Sequence, residues 1–194
     1  MANMRPALRR LIVFRHAKAE RGATEGADFG RPLAPRGRRD AAGIGRALAA
    51  LGPAPDLVLC SAATRAKETW ALAGGAFEPR PKVLMRRDLY LADAGAVLAV
   101  IKEAGGHAAT LVVVGHNPGL QDLLLELIGS SDPAARRKIA DKFPTAAAAV
   151  VAFEPGPWSA LRRASGRLVR LLTPGSLADG AGPEGAPEDT PEDT

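Results

Sequence analysis

Apolar residues in this chain come in short blocks, and several of those blocks end abruptly on polar residues. Arg10–Phe14 is a short apolar run that stops at Arg15-His16 and predicts a first strand. Residues 17–35, rich in Gly, Pro and Asp, read as loop. From Pro35 to about Leu51 the apolar positions Ala41, Ile44, Leu48 and Leu51 fall at helical spacing, and Gly52-Pro53 ends that helix. Asp56–Cys60 predicts a second strand, followed by a helix from about Thr64 to Ala73. Lys82–Met85 is a candidate third strand. Ala94–Ala104 predicts a helix closed by Gly105-Gly106. Thr110–Val114 is a strongly apolar strand, and Pro118–Ile128 follows as a helix with Leu120, Leu123, Leu124, Leu127 and Ile128 on one face. A helix over Ala135–Asp141 and strands over Ala148–Phe153 and Arg167–Leu172 complete the pattern.

Strands alternating with helices predict a three-layer α/β/α sandwich with a largely parallel central sheet. The 194 residues suffice for one well-buried domain, placed at 1–174. Residues 175–194 hold Gly, Pro and acids and end in PEDTPEDT. Such a segment buries too little apolar surface to offset its ordering entropy, so it reads as a disordered acidic tail.

Charge sharpens that division. The net charge of +5 combines six acids and no Lys or Arg in the tail with +11 on residues 1–174. A basic body suits an anionic, phosphorylated substrate, although many arginines simply solvate helix faces. Nucleic acid would also suit it, but aromatics make up only 4% of the chain and no nucleic-acid motif is present. One cysteine, Cys60, excludes an internal disulfide and reads as a core residue of its strand. No apolar stretch approaches a signal-peptide core or a membrane span, so the expectation is a cytoplasmic protein without a membrane partner.

Three strands share one ending: LIVF-Arg15-His16, DLVLC-Ser61-Ala62-Ala63-Thr64-Arg65 and LVVV-Gly115-His116-Asn117-Pro118. Ligands of open α/β sheets bind outside the carboxyl ends of strands, so these three ends would bring two Arg and two His to one crevice. Helices starting near Arg65 and Pro118 would aim N-terminal amides at the same place, which favours an anion.

On these residues the sequence resembles the histidine phosphatase (phosphoglycerate-mutase-like) superfamily, and within it the small branch of SixA-type phosphohistidine phosphatases. The Arg-His-Gly signature stands here as Arg15-His16-Ala17, departing at its third position. Further matches are the Asp28–Arg31-Pro32-Leu33–Arg36-Gly37 stretch, the Ser61–Arg65–Thr69 stretch, Gly115-His116-Asn117-Pro118, and Phe143-Pro144-Thr145 before an Ala-rich strand. The resemblance covers roughly residues 9–173 and implies a phosphoglycerate-mutase-like fold.

The chemistry calls for these residue types. A neutral imidazole at His16 can attack phosphorus and form a phosphohistidine, splitting one displacement into two. Arg15 and Arg65 present planar forks of donors to phosphate oxygens, and His116 adds a further donor. Protein cations then do the work of a metal, and the three histidines show no metal-ligand spacing, so neither metal nor cofactor is expected. Asn117 either orients its loop or contacts phosphate. Arg31 either lines the pocket rim or serves an ordinary salt bridge. His107, after Gly105-Gly106, reads as an exposed loop residue. The superfamily's leaving-group acid follows the third strand, which leaves Asp88 as the candidate, with capping or pairing to Arg86 as the alternative.

The short span between the third strand and Thr110 leaves no room for the large helical cap of other superfamily members. An open pocket results, better suited to a phosphorylated protein side chain such as phosphohistidine. The alternatives are a small-molecule phosphomonoesterase with the same site and a non-catalytic phosphate-binding module.

Overall fold

A computed structural model describes residues 8–21, 28–129 and 133–178. Six strands form one sheet in the order β3-β2-β4-β1-β5-β6. They are β1 (Arg9–Arg15), β2 (Leu57–Ser61), β3 (Lys82–Arg86), β4 (Thr110–Gly115), β5 (Ala148–Phe153) and β6 (Arg167–Leu172). The helices are α1 (Pro35–Ala49), α2 (Thr64–Ala73), α3 (Ala94–Ala104), α4 (Gly119–Leu127), α5 (Pro133–Asp141) and a short α6 (Pro174–Ala178).

The four strands β3, β2, β4 and β1 are mutually parallel, and single helices carry the chain back between them. Two helices, α4 and α5, separate β4 from β5. The chain therefore reaches β5 at the carboxyl end of β1, with Ala148 opposite Phe14, and β5 runs antiparallel to β1. β6 is antiparallel to β5 in turn, so the sheet is mixed at this side.

Burial explains why the central strands are continuously apolar: every residue of β2, β4 and β5 is buried. Alternate residues of one strand enter opposite cores. Leu11 and Val13 pack with Val97 and Ile101 of α3 and Leu120, Leu123 and Leu124 of α4. Ile12 and Phe14 pack with Ala41, Ile44 and Leu48 of α1 and Ala66, Trp70 and Ala73 of α2. These are the three layers. Only a 3₁₀ turn at Arg87–Leu89 and α3 lie between β3 and β4, so no large cap is built over the sheet. Among the described residues, no helix is long and apolar enough to cross a membrane.

The carboxyl ends of β1, β4 and β2 lie side by side, with Arg15 opposite Gly115 and Cys60 opposite Val114. The chain leaves β6 through Thr173 into α6. Thr173 and Ser176 tie this turn through reciprocal backbone-to-hydroxyl hydrogen bonds of 3.1 Å. The expected tail boundary at 174/175 thus falls inside a helical turn that packs against α1. Residues 179–194, with all six acids, lie outside the described residues.

Candidate active site

β1 delivers Arg15 and His16 to its carboxyl end. The His16 amide continues the strand pairing by donating to the Gly115 carbonyl at 3.0 Å, and the His16 carbonyl accepts from Ala146 at 3.1 Å. These bonds fix the backbone, and the side chain is then oriented by its own loop. His16 Nδ1 lies 2.8 Å from the Ala17 carbonyl, which can only accept, so Nδ1 carries the proton and Nε2 keeps its lone pair. Burial, helped by the nearby Arg65 and Arg15 charges, lowers the His16 pKa to about 4. The ring is therefore neutral near pH 7. Ala17, where the signature has glycine, is fully buried, and its amide donates to Thr69 Oγ1 at 2.9 Å.

Arg65 sits in the first turn of α2, with its side chain 2% exposed. Its Nε donates to His16 Nε2 at 3.3 Å. The two terminal nitrogens are both taken by Asp28: one reaches its carbonyl at 2.6 Å, the other its carboxylate at 3.0 Å. Arg31 and the Tyr90 hydroxyl, at 2.6 Å, also donate to this carboxylate. The Tyr90 bond, followed by the two guanidinium groups, holds Asp28 down at about 2, so it is ionised.

Asp28 reaches this place because its loop doubles back. Ala19 bridges Leu33 in antiparallel fashion, and Leu33 is tied to Glu68 of α2 at 2.8 Å. At the start of α1, Gly37 lies so close to the chain that a Cβ there would fall 2.0 Å from the Lys18 carbonyl. Only glycine allows that approach.

His116 is 3% exposed, and its ring centre is 5.0 Å from that of His16. Ser61 Oγ lies 2.8 Å from its Nε2 and also accepts from the Ala63 amide. Ser61 can therefore donate to Nε2 and leave the proton on Nδ1, which is buried and has no partner. Burial lowers the His116 pKa to about 3, with the His16 and Arg65 charges adding to the effect. Near pH 7 the ring is therefore a neutral imidazole rather than an imidazolium. Arg15 donates to the Phe143 carbonyl at 2.6 Å, while its Nε is buried without a partner. Asn117 Nδ2 donates to Gln121 Oε1 and to the same Phe143 carbonyl, at 2.8 and 3.1 Å, so this side chain braces the loop after α5.

Together these groups line a cleft of about 390 Å³. Arg15, His16, Arg65, His116, Asn117 and Arg31 are all brought to it. Asp88 is not. It is half exposed and gripped by Arg86 through bonds of 3.0 and 2.6 Å, so the expected acid is an ordinary ion-pair partner beside the sheet. The carboxylate in the cleft is Asp28, and it lies close to Tyr90; no periodicity marked either for the site, although Asp28 opened a matched motif. His107 is exposed and Cys60 fully buried, with burial pushing the Cys60 thiol up to about 12.

Known proteins resemble this chain in sequence and in fold. Residues 11–90 match the family model of the histidine phosphatase superfamily (branch 1). An uncharacterized protein of Mycobacterium tuberculosis, Rv1276c, is 40% identical over 163 residues, spanning 82% of this chain and 99% of its own. Among solved structures, a candidate phosphohistidine phosphatase SixA from Nakamurella multipartitia superposes with a TM-score of 0.76 at 30% identity, covering 88% of this chain and 98% of that one. A second such SixA, from Agrobacterium tumefaciens, gives 0.72 at 28%, covering 85% and 97%. With the strand-end residues in place and these relatives matched over nearly their full length, the chain belongs to the histidine phosphatase superfamily, in its SixA-type branch, and is a phosphatase.

Proposed function

We propose that this phosphatase hydrolyses phosphohistidine or another phosphorylated protein side chain, through a phosphohistidine formed on His16. The observation that carries the reading is the state of that ring: its Nδ1 is tied to a carbonyl, and its neutral Nε2 faces a cleft lined by Arg15, Arg31 and Arg65. The Nε2 lone pair forms the new N–P bond as the bond from phosphorus to the leaving group breaks. The leaving group departs with the bonding pair and takes up a proton from solvent; water then attacks phosphorus, the N–P bonding pair returns to Nε2, and orthophosphate and a proton are released. Charge spreading over the phosphoryl oxygens meets the guanidinium groups of Arg15 and Arg65 and the waiting Nδ1 proton of His116.

Both terminal nitrogens of Arg65 are engaged by Asp28, so the phosphoryl group enters by exchange. Its oxygens replace the carboxylate on Arg65, and a bond to phosphorus replaces the Arg65 contact on His16 Nε2. The carboxylate at the cleft is Asp28 in place of Asp88, but Tyr90 and two guanidinium groups hold it ionised, so it does not serve as a general acid for the leaving group. A phosphohistidine substrate leaves as imidazole and makes a small demand on such an acid. The absence of a cap between β3 and β4 leaves the cleft open to a side chain displayed on a protein. We place the protein in the cytoplasm, where its single thiol stays reduced.

Among the described residues, no group of three His, Cys, Asp or Glu is arranged to hold a metal, and the arginines supply the positive charge at the cleft. The test is to trap the intermediate. Brief exposure to labelled substrate leaves acid-labile, base-stable phosphate on His16, and His16→Ala abolishes turnover. Label on Ser61 or Cys60 would overturn the mechanism. A screen of phosphohistidine peptides against aryl and sugar phosphates separates this reading from a small-molecule phosphomonoesterase.

A further inference from the structure

The cleft at His16 opens into a second groove of about 540 Å³. The two share Arg15, Lys18 and Thr145. Beyond them the groove is walled by Arg36 on α1, by Lys142 after α5, and by Thr173–Gly175 leading into α6. One carboxylate, Asp40, lies in it and is held by Arg36 at 3.4 Å. Among the described residues, no ion pair joins Lys18 or Lys142 to a carboxylate. α1 also begins at this wall without a side-chain cap and without an acid in its first turn, so its positive end adds to the field.

The phosphoryl chemistry uses Arg15 and leaves Lys18, Arg36 and Lys142 without a task. These three side chains are exposed and reach the groove from three separate segments, the loop after β1, the first turn of α1 and the loop after α5. A second phosphate of a small metabolite is best held by forked donors, and beyond Arg15 the groove has one, Arg36, which is already paired with Asp40; the two ammonium groups on separate segments suit single carboxylates on successive side chains of an extended chain. Extended polypeptide advances about 3.3–3.6 Å per residue, so a few residues on one side of the phosphorylated position would lie against this wall.

We propose that the groove binds acidic residues flanking the phosphorylated side chain of a protein substrate. This deepens the phosphoprotein reading and rests on it. Charge complementarity of this exposed kind acts through association and substrate affinity.

The test uses two phosphohistidine peptides that differ only in carrying three Asp/Glu or three Asn/Gln beside the phosphorylated residue. At low salt the wild type prefers the acidic peptide by about tenfold in kcat/KM, carried mainly by KM, as expected for three exposed pairs. The double variant Arg36→Glu/Lys142→Glu abolishes or inverts the preference. Arg39→Glu, on an exposed part of α1 outside the groove, keeps it. Equal preference in the wild type and the double variant, with both folded, overturns the proposal.

The full-length chain with its six C-terminal acids changed to amides identifies a competing occupant. An unchanged preference supports the proposal, whereas a preference seen only in that variant assigns the groove to the chain's own acidic segment and overturns it. If aryl phosphate is hydrolysed but neither phosphopeptide is, the phosphoprotein reading fails. An unphosphorylated acidic peptide then tests the groove alone, by inhibiting aryl phosphate hydrolysis in the wild type and not in the double variant.

Discussion

The lone pair on His16 Nε2 persists near neutrality because charging the ring costs more among buried groups and guanidinium charges than in water. Protonation would remove the nucleophile. Once corrected for the substrate's own ionisation, kcat/KM should stay level below neutrality and fall only as pH approaches about 4. A fall centred near the ordinary histidine value of about 6.5 would show that the ring is not desolvated in the free enzyme. Arg65 tests fork geometry against bare charge. Lysine keeps the charge but loses the aligned donors. Removing one preorganised donor at a developing oxyanion costs roughly 10²–10³ in kcat, so Arg65→Lys should lower kcat/KM at least about tenfold and approach that range. Arg38 is a poor control for this substitution, because it bonds Glu68, whose carboxylate also holds Leu33 and so the loop of Asp28. The exposed Arg39 serves instead, and Arg39→Lys should change little. Near-wild-type activity of a folded Arg65→Lys would mean that its fork is not used on phosphate.

Each site group rides on an element whose own packing sets its position. Arg65 is carried by α2, and α2 is seated against α1 at Gly45. A Cβ on Gly45 would lie 2.4 Å from the Ala73 carbonyl oxygen and 2.5 Å from its Cα. Both are backbone atoms, so the two helices would have to separate. Gly45→Ala should therefore cost about 1–3 kcal/mol. At this size each kcal/mol lowers Tm by roughly 2–4 °C, a shift that a thermal melt resolves. An unchanged Tm would mean that the helices adjust without loss. The return of α4 and α5 to the carboxyl edge has a similar effect on the site: it brings the Phe143 carbonyl to Arg15 and Asn117, and Thr145 to the cleft.

At the scale of the molecule, the cleft makes the fold sensitive to acid. In the native state His16 and His116 titrate at about 4 and about 3, against about 6.5 when unfolded. Between those values the unfolded chain binds more protons, so stability falls as pH drops from about 6.5 through the two native values. Asp28 acts in the same direction lower down, since its contribution is lost as pH falls through about 2. Tm should therefore decline on acidification from neutrality, and the slope between pH 6.5 and 4 should flatten in His16→Asn/His116→Asn. A double variant that retains the wild-type slope would place the acid sensitivity elsewhere.

The sequence by itself determined the elements and the convergence of Arg15, His16, Arg65 and His116. Alternation and helical spacing record which side of each segment is buried, and burial on both faces makes β2 and β4 read as unbroken apolar runs. Once those runs are parallel strands, polar residues at their carboxyl ends must share one edge. Strand order, the reversal at β5 and the identity of the carboxylate in the cleft were decided only by tertiary structure. Residues 17–35 carry no periodicity, so the place of Asp28 depends on the Ala19–Leu33 bridge and the seat at Gly37. Asp88 lies at the sequence position where the superfamily's acid is expected, yet Arg86 holds it away from the cleft. Local pattern reports whether a residue is buried; which charge it meets is settled by packing between segments far apart in the chain.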